Sequence, residues 1–96
     1  MSDRFEDFVQ EIENAATPEE RRELEAARAR YRIGTRLLQQ RLTAGLTQKQ
    51  LASESGIDQG DISRIERGEG NPTTETLDAL SRPLGVTLDL VTPADA

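Results

Sequence analysis

The sequence predicts an all-α protein that ends in one short strand, on three observations. Charged residues are 31% of the chain and well mixed in sign, a composition that favours helices over sheets. Apolar residues recur at helical spacing, and a Thr or Asp stands ahead of segment after segment with Gly or Pro behind it. The 96 residues, 34% hydrophobic and only 3% aromatic, leave room for one ordinary domain, or for one of about sixty residues with an appendage, around a small leucine-rich core.

Residues 4–13 place Phe5, Phe8, Val9 and Ile12 on one stripe of a short amphipathic helix whose other face is acidic. Alone such a helix is marginal, so it must pack on something. Thr17-Pro18-Glu19-Glu20 reads as the next helix start, with Thr17 as N-cap, Pro18 at the first helical position and Glu20 closing a capping box. No stop signal follows until Thr43-Ala44-Gly45, while Leu24, Ala27, Tyr31, Gly34, Leu38 and Leu42 keep one stripe. That predicts a single helix of about 26 residues, roughly 39 Å long. Gly34 costs about 1 kcal/mol there relative to alanine and is the expected place for a bend or break.

Thr47, with Gln50 three residues on, caps a further helix that turns Leu51 and Ala52 inward and ends at Ser55-Gly56. Asp58 caps the next, with Ile62 and Ile65 inside and Gly68 beyond its end. After the loop Gly70-Asn71-Pro72, Thr73 caps a last helix carrying Leu77, Leu80 and Leu84, whose final turn Pro83 must end or distort. Val86-Thr87-Leu88-Asp89-Leu90 then alternates apolar and polar, which predicts the strand, and Pro93 closes it. The chain divides accordingly into a helical extension (1–30), a helical domain (31–85) and a C-terminal strand and tail (86–96). An unpaired apolar strand is a liability, so Val86, Leu88 and Leu90 are expected to join two copies antiparallel about a two-fold axis, as a homodimer.

The chain has no cysteine and no histidine, which excludes disulfide frameworks, thiolate zinc sites, cysteine nucleophiles and imidazole catalysis. The remaining candidates for chemistry are carboxylates, serines and threonines on caps and solvated faces, so neither an enzyme nor a cofactor nor a metal is expected. No apolar run approaches the ~18 residues of a membrane span and the start has no signal-peptide plan, so a soluble, cytoplasmic protein is expected. Eleven of the twelve basic residues are Arg, a bias expected of a GC-rich bacterial genome.

A net charge of −6 argues against nucleic-acid binding when taken as one number, but it is unevenly spread. Residues 1–30 carry nine acids against five bases, residues 31–72 five against six, and residues 73–96 four against one. A polyanion could approach only the middle, whereas the ends suit a basic protein partner.

That middle contains two short capped helices separated by Ser55-Gly56-Ile57, a helix-turn-helix arrangement. With Ile62 and Ile65 inward, Gln59, Gly60, Ser63, Arg64 and Arg67 share the opposite face. Amide, hydroxyl and guanidinium groups suit base edges and phosphates, and a merely solvated helix more often carries Glu and Lys. Both readings of this face, DNA contact and solvated structural helix, are open on chemistry alone.

The stretch Gly45-Leu46-Thr47-Gln48-Lys49-Gln50-Leu51-Ala52, followed by Gly56-Ile57-Asp58-Gln59-Gly60-Asp61-Ile62-Ser63-Arg64-Ile65-Glu66-Arg67-Gly68 and Asn71-Pro72, resembles the Xre or lambda-repressor-like helix-turn-helix family. The resemblance covers about residues 36–85. It implies a lambda-repressor-like domain on double-stranded DNA with a pseudo-palindromic operator. Gln48 would touch a phosphate and brace the recognition helix, and Gln59, Gly60, Ser63 and Arg64 would face the major groove. Lys49, Arg67 and Asn71 join them as candidate DNA contacts. The resemblance also implies that Arg41 pairs with Glu66 inside the domain, as a structural pair.

The chain departs from that family's pattern at three places. Gly60 leaves a base-reading position without a side chain. Asp61 puts an acid near phosphates, either to favour the helix N-terminus or to accept from a cytosine amino group. The family's usual fifth helix has too little chain between Val86 and Pro93. The acidic lead-in, Tyr31 and the terminal strand look like the HigA-type antitoxin branch, which implies a transcriptional repressor of its own operon that also neutralises a basic RelE/HigB-like messenger-RNA-cleaving toxin. In this reading Phe5, Phe8, Val9 and Ile12 either form a partner-binding surface or dock on the protein's own long helix. The alternative is a stand-alone regulator whose arm meets another protein and no toxin.

Overall fold

The computed structural model describes residues 4–93, and its regular structure there is entirely helical. Helices α1 (Arg4–Ala15), α2 (Pro18–Thr43), α3 (Gln48–Ser55), α4 (Gln59–Glu66) and α5 (Thr74–Leu84) follow one another along the chain. The start signals in the sequence hold in detail. Thr17 and Thr47 each accept from the backbone three residues on, while Glu20 and Gln50 return a bond to the cap, so α2 and α3 both open with full capping boxes. Asp58 caps α4 by accepting from the Gly60 N–H at 2.9 Å, and Thr73 caps α5. Gly56 ends α3 at φ 76° and Gly85 ends α5 at φ 71°, a left-handed conformation that glycine enters without a Cβ penalty. Pro83 sits in the last turn of α5, which closes one residue later.

Leu37, Leu51, Ile62, Ile65 and Leu80 form the core, with Leu46, Ala52, Ile57 and Leu84 packed against it. The C-terminal half of α2 lies on α4, and α3 lies between α4 and α5. Full burial of Leu51, Ile62 and Leu80 contributes about 1.5–3 kcal/mol each. The radius of gyration, 15.7 Å, exceeds the ~12.5 Å expected of a compact chain of this length, because α1 and the first half of α2 extend away from that core.

Two expectations about α2 need correction. Gly34 does not break the helix, which is continuous from Pro18 to Thr43. Instead it lets α4 approach: a Cβ there would lie inside contact distance of the Ile65 carbonyl oxygen and 3.0 Å from that of Glu66. The inward face is also rotated by about 70° from the apolar stripe, because α2 buries Gly34, Leu37 and Arg41. Tyr31 and Leu42, counted as inward in the sequence, are 66% and 62% exposed. The polar Arg41 holds an inward position that a hydrophobicity pattern assigns to solvent.

The C-terminal strand is likewise absent: residues 86–93 carry no regular structure. A strand needs a ladder partner, and the described chain supplies no second extended segment. Val86 instead donates its N–H to the Ser81 carbonyl at 3.1 Å. From there the segment runs back beside α2 and α5, where Val86, Leu88 and Val91 border a hollow of about 540 Å³ with Ile33, Leu37 and Leu84. Leu90 points away, 97% exposed.

Helix α1 buries no residue. Phe5, Phe8 and Ile12 are exposed and Val9 is half-buried, so most of the apolar stripe faces solvent. The two helices are joined at one end by the Arg28–Glu13 ion pair and by a bond from Arg21 Nε to the Glu13 carbonyl at 3.1 Å. Among the described residues, no helix is long and apolar enough to cross a membrane.

Candidate nucleic-acid interface

Helix α4 has two chemically distinct sides because its apolar residues are only Ile62 and Ile65, one turn apart. Both are buried against α2 and α3. On the other side Gln59, Arg64 and Arg67 are exposed and Gly60 and Ser63 are half-buried, the face the sequence assigned to DNA; Asp61, also exposed, borders it. Arg64 pairs with Asp61 one turn back. Arg67 bonds the Ser63 hydroxyl and, at 3.1 Å, the Glu69 carboxylate. The Arg67–Glu69 pair is exposed and worth about 0–1 kcal/mol, so an incoming phosphate can displace it.

The helix is held in place by a buried polar cluster at its C-terminal end. Arg41 donates from Nε to Glu66 Oε2 at 2.6 Å, from Nη2 to Glu66 Oε1 at 3.0 Å and from Nη1 to the Leu46 carbonyl at 2.8 Å. Gln48, at the first position of α3, donates its amide to Glu66 Oε1 at 2.9 Å. The Glu66 carboxylate therefore ties α4 to α2 and α3, and Arg41 ties in the loop between those two helices. The hydrogen bond to Glu66 raises the Arg41 pKa above its ordinary value, although burial opposes the charge. No buried side-chain polar atom among the described residues lacks a partner, which is what makes such a charged cluster tolerable.

Gln48, Lys49 and Gln59 come together, bordering one open hollow with Gly45, Leu46 and Thr47 at the mouth between α3 and α4. Among the described residues of this face, Lys49 is the cation without an ion-pair partner. Asn71 lies elsewhere, bordering a hollow of about 250 Å³ with Ala29, Arg30, Ile33 and Pro72. Two contacts of this face were not anticipated from the sequence: the hold of Asp61 on Arg64 and the double hold of Ser63 and Glu69 on Arg67. The spacings i,i+3 and i,i+4 were available as signals for the first and for Ser63.

Gly60 also has a local explanation. A Cβ there would come within 2.9 Å of Asp58 Oδ2, the cap of α4, and 3.6 Å from Arg64 Nη1. Its bare backbone leaves room for the cap and for the arginine passing over it.

Two short helices joined through a left-handed glycine, the second buried on its apolar side and presenting amide, hydroxyl and guanidinium groups on the other, define a helix-turn-helix protein. Residues 37–91 match the helix-turn-helix family, and the chain belongs to it. It is 36% identical over 91 residues to an uncharacterized HTH-type transcriptional regulator of Haemophilus influenzae, spanning 95% of this chain and 87% of that protein. A second protein so described, from Sinorhizobium fredii, is 42% identical over 64 residues, 66% of this chain and 83% of its own length. No solved structure matches the chain.

Proposed function

We propose that this protein is a DNA-binding transcriptional regulator, a repressor that inserts α4 into the major groove of its operator. The observation that carries the reading is the exposed polar face of α4, clamped onto α3 through Glu66 and Gln48. Gln59, Ser63 and Arg64 address base edges, while Gln48, Lys49 and Arg67 position the backbone. The placement of Gly60 favours a spacer, and that of Asn71, in a separate hollow, a contact at the edge of the footprint. The printed descriptions of both relatives support transcriptional regulation.

The protein acts as a homodimer, two recognition helices meeting half-sites about 34 Å apart. Exposed Leu88, Leu90 and Val91 beside the α2–α5 hollow support apolar association at the C-terminal segment, without the strand expected from the sequence. The N-terminal arm meets a basic protein, and an antitoxin that sequesters a RelE/HigB-like toxin and represses its own operon fits that arm. Support comes from the exposed Phe5, Phe8 and Ile12 beside Glu6, Asp7 and Glu11. The 91-residue match to the Haemophilus protein also takes in most of the arm, beyond the family domain.

A gel shift on the protein's own promoter, with and without the product of the neighbouring gene, tests the proposal. A retarded band with the protein alone, altered by a small basic neighbour that is lethal by itself, is the expected result. A shift that no neighbouring product alters would leave a stand-alone regulator, and no shift at micromolar protein would contradict DNA binding.

A further inference from the structure

Asp61 stands at the edge of the α4 face that the DNA-binding reading turns towards a polyanion, where an acid is electrostatically unwelcome. The structure shows what it does: its Oδ1 accepts from Arg64 Nη2, with both side chains 52% exposed. The arginine is steered on a second side. Its Nη1 and Nη2 lie 3.6 and 3.9 Å from the place a Cβ would take on Gly60, so the guanidinium rests over bare backbone. A longer side chain at that position would compete for this place. Asp61 occupies one N–H of Nη2, and the other Nη2 hydrogen and both on Nη1 are still available. Those suffice for a bidentate bond to O6 and N7 of guanine.

We propose that Asp61 is a positioning residue for base reading: it holds the Arg64 guanidinium over Gly60 with its open edge towards the groove, and so sets a guanine preference at one operator position. This rests on the DNA-binding reading. The contact with Asp61 adds little to fold stability, because the pair is exposed and screened. Its effect falls on recognition: an arginine ordered before binding loses less rotamer freedom when it meets the base. The acid weakens binding to every sequence by charge repulsion and in return sharpens the choice among sequences.

The test is selection from random duplexes by the full-length protein and by Asp61→Ala, Asp61→Asn, Arg64→Ala and the Asp61→Ala/Arg64→Ala double variant, with far-UV circular dichroism checking that each is folded. The unmutated protein should prefer guanine at one position by about tenfold, as a bidentate arginine does. Asp61→Ala should bind all duplexes more tightly yet keep only about a threefold preference there. Asp61→Asn, whose amide oxygen still accepts from the guanidinium, should keep most of it. The double variant should show the profile of Arg64→Ala alone.

A uniform gain in affinity by Asp61→Ala with an unchanged base profile would overturn the proposal, leaving Asp61 as a mere repulsive charge. A further change in profile when Asp61 is replaced in the Arg64→Ala background would overturn it too, since Asp61 would then be reading a base itself. If the unmutated protein enriches no sequence, the DNA-binding reading falls and this inference falls with it.

Discussion

Replacing Arg41 by alanine should come close to unfolding the domain. The side chains of Arg41 and Glu66 are 11% and 5% exposed, so the carboxylate left behind cannot reach bulk water without opening the packing of α2 on α4. It would lose both Arg41 bonds and retain the Gln48 amide, while the Leu46 carbonyl would lose its donor. Breaking a buried pair from one side costs about 3–5 kcal/mol, against a total stability of about 5–15 kcal/mol for a small domain. For a chain of this size that lowers Tm by about 15–30 °C.

Thermal unfolding followed at 222 nm measures the shift. The double variant Arg41→Met/Glu66→Leu separates a stranded charge from lost packing: it should recover most of the Tm, because an apolar pair of similar volume has no ion to desolvate. An Arg41→Ala protein melting within a few degrees of the unmutated one would refute the reasoning, since Glu66 would then be escaping to solvent at little cost.

Gly34→Ala should destabilise despite the better helix propensity of alanine. The gain of about 1 kcal/mol from propensity is outweighed by a Cβ driven against the Ile65 and Glu66 carbonyls, for a net loss of about 1–2 kcal/mol in denaturant titrations; a stabilised variant would contradict the close approach. The hydrogen bonds from Thr17 hold the Glu20 carboxyl below the ordinary glutamate range. A depressed folded pKa gives stability present above the unfolded value and lost as pH falls through the folded one, so residues 17–21 should fray in acid, seen as lower amide protection factors, and Glu20→Gln should abolish that pH dependence. Arg64→Ala should cost about 1–3 kcal/mol on the preferred operator and relax one base position, whereas Gln48→Ala should weaken all sequences alike in filter-binding assays; unchanged operator preference in Arg64→Ala would remove it from the base-reading set.

The parts of this molecule set by local chemistry were legible in the sequence. Caps at Thr17, Thr47, Asp58 and Thr73, the glycine ends of α3 and α5 and the inward Ile62 and Ile65 all depend on neighbours within a turn or two. What depended on contacts far along the chain was misread. Gly34 looks like a weak point within one helix, and only the backbone of α4, some thirty residues on, reveals it as a crossing point. The apolar stripe of α2 misplaced the inward face because a paired arginine takes a place in it. Alternation in residues 86–90 signalled a strand, but a strand is a property of two segments and the described chain holds one. The Arg41–Glu66 pair was anticipated through family resemblance, as hydrophobic patterning carries no signal for a buried ion pair. On the outward side of α4 the exposure of Gln59, Arg64 and Arg67 was legible, and the bonds of the two arginines were not.

The central claim is that α4 and the start of α3 form a DNA-reading surface. Titration of the isotope-labelled full-length protein with a duplex of its own promoter, followed by amide and side-chain chemical shifts, tests it most directly. Perturbations should concentrate at residues 47–49 and 59–67, including the Gln48 and Gln59 side-chain amides, and leave α1 unaffected. Shifts confined to α1 or to residues 86–93, or none at stoichiometric duplex, would contradict it.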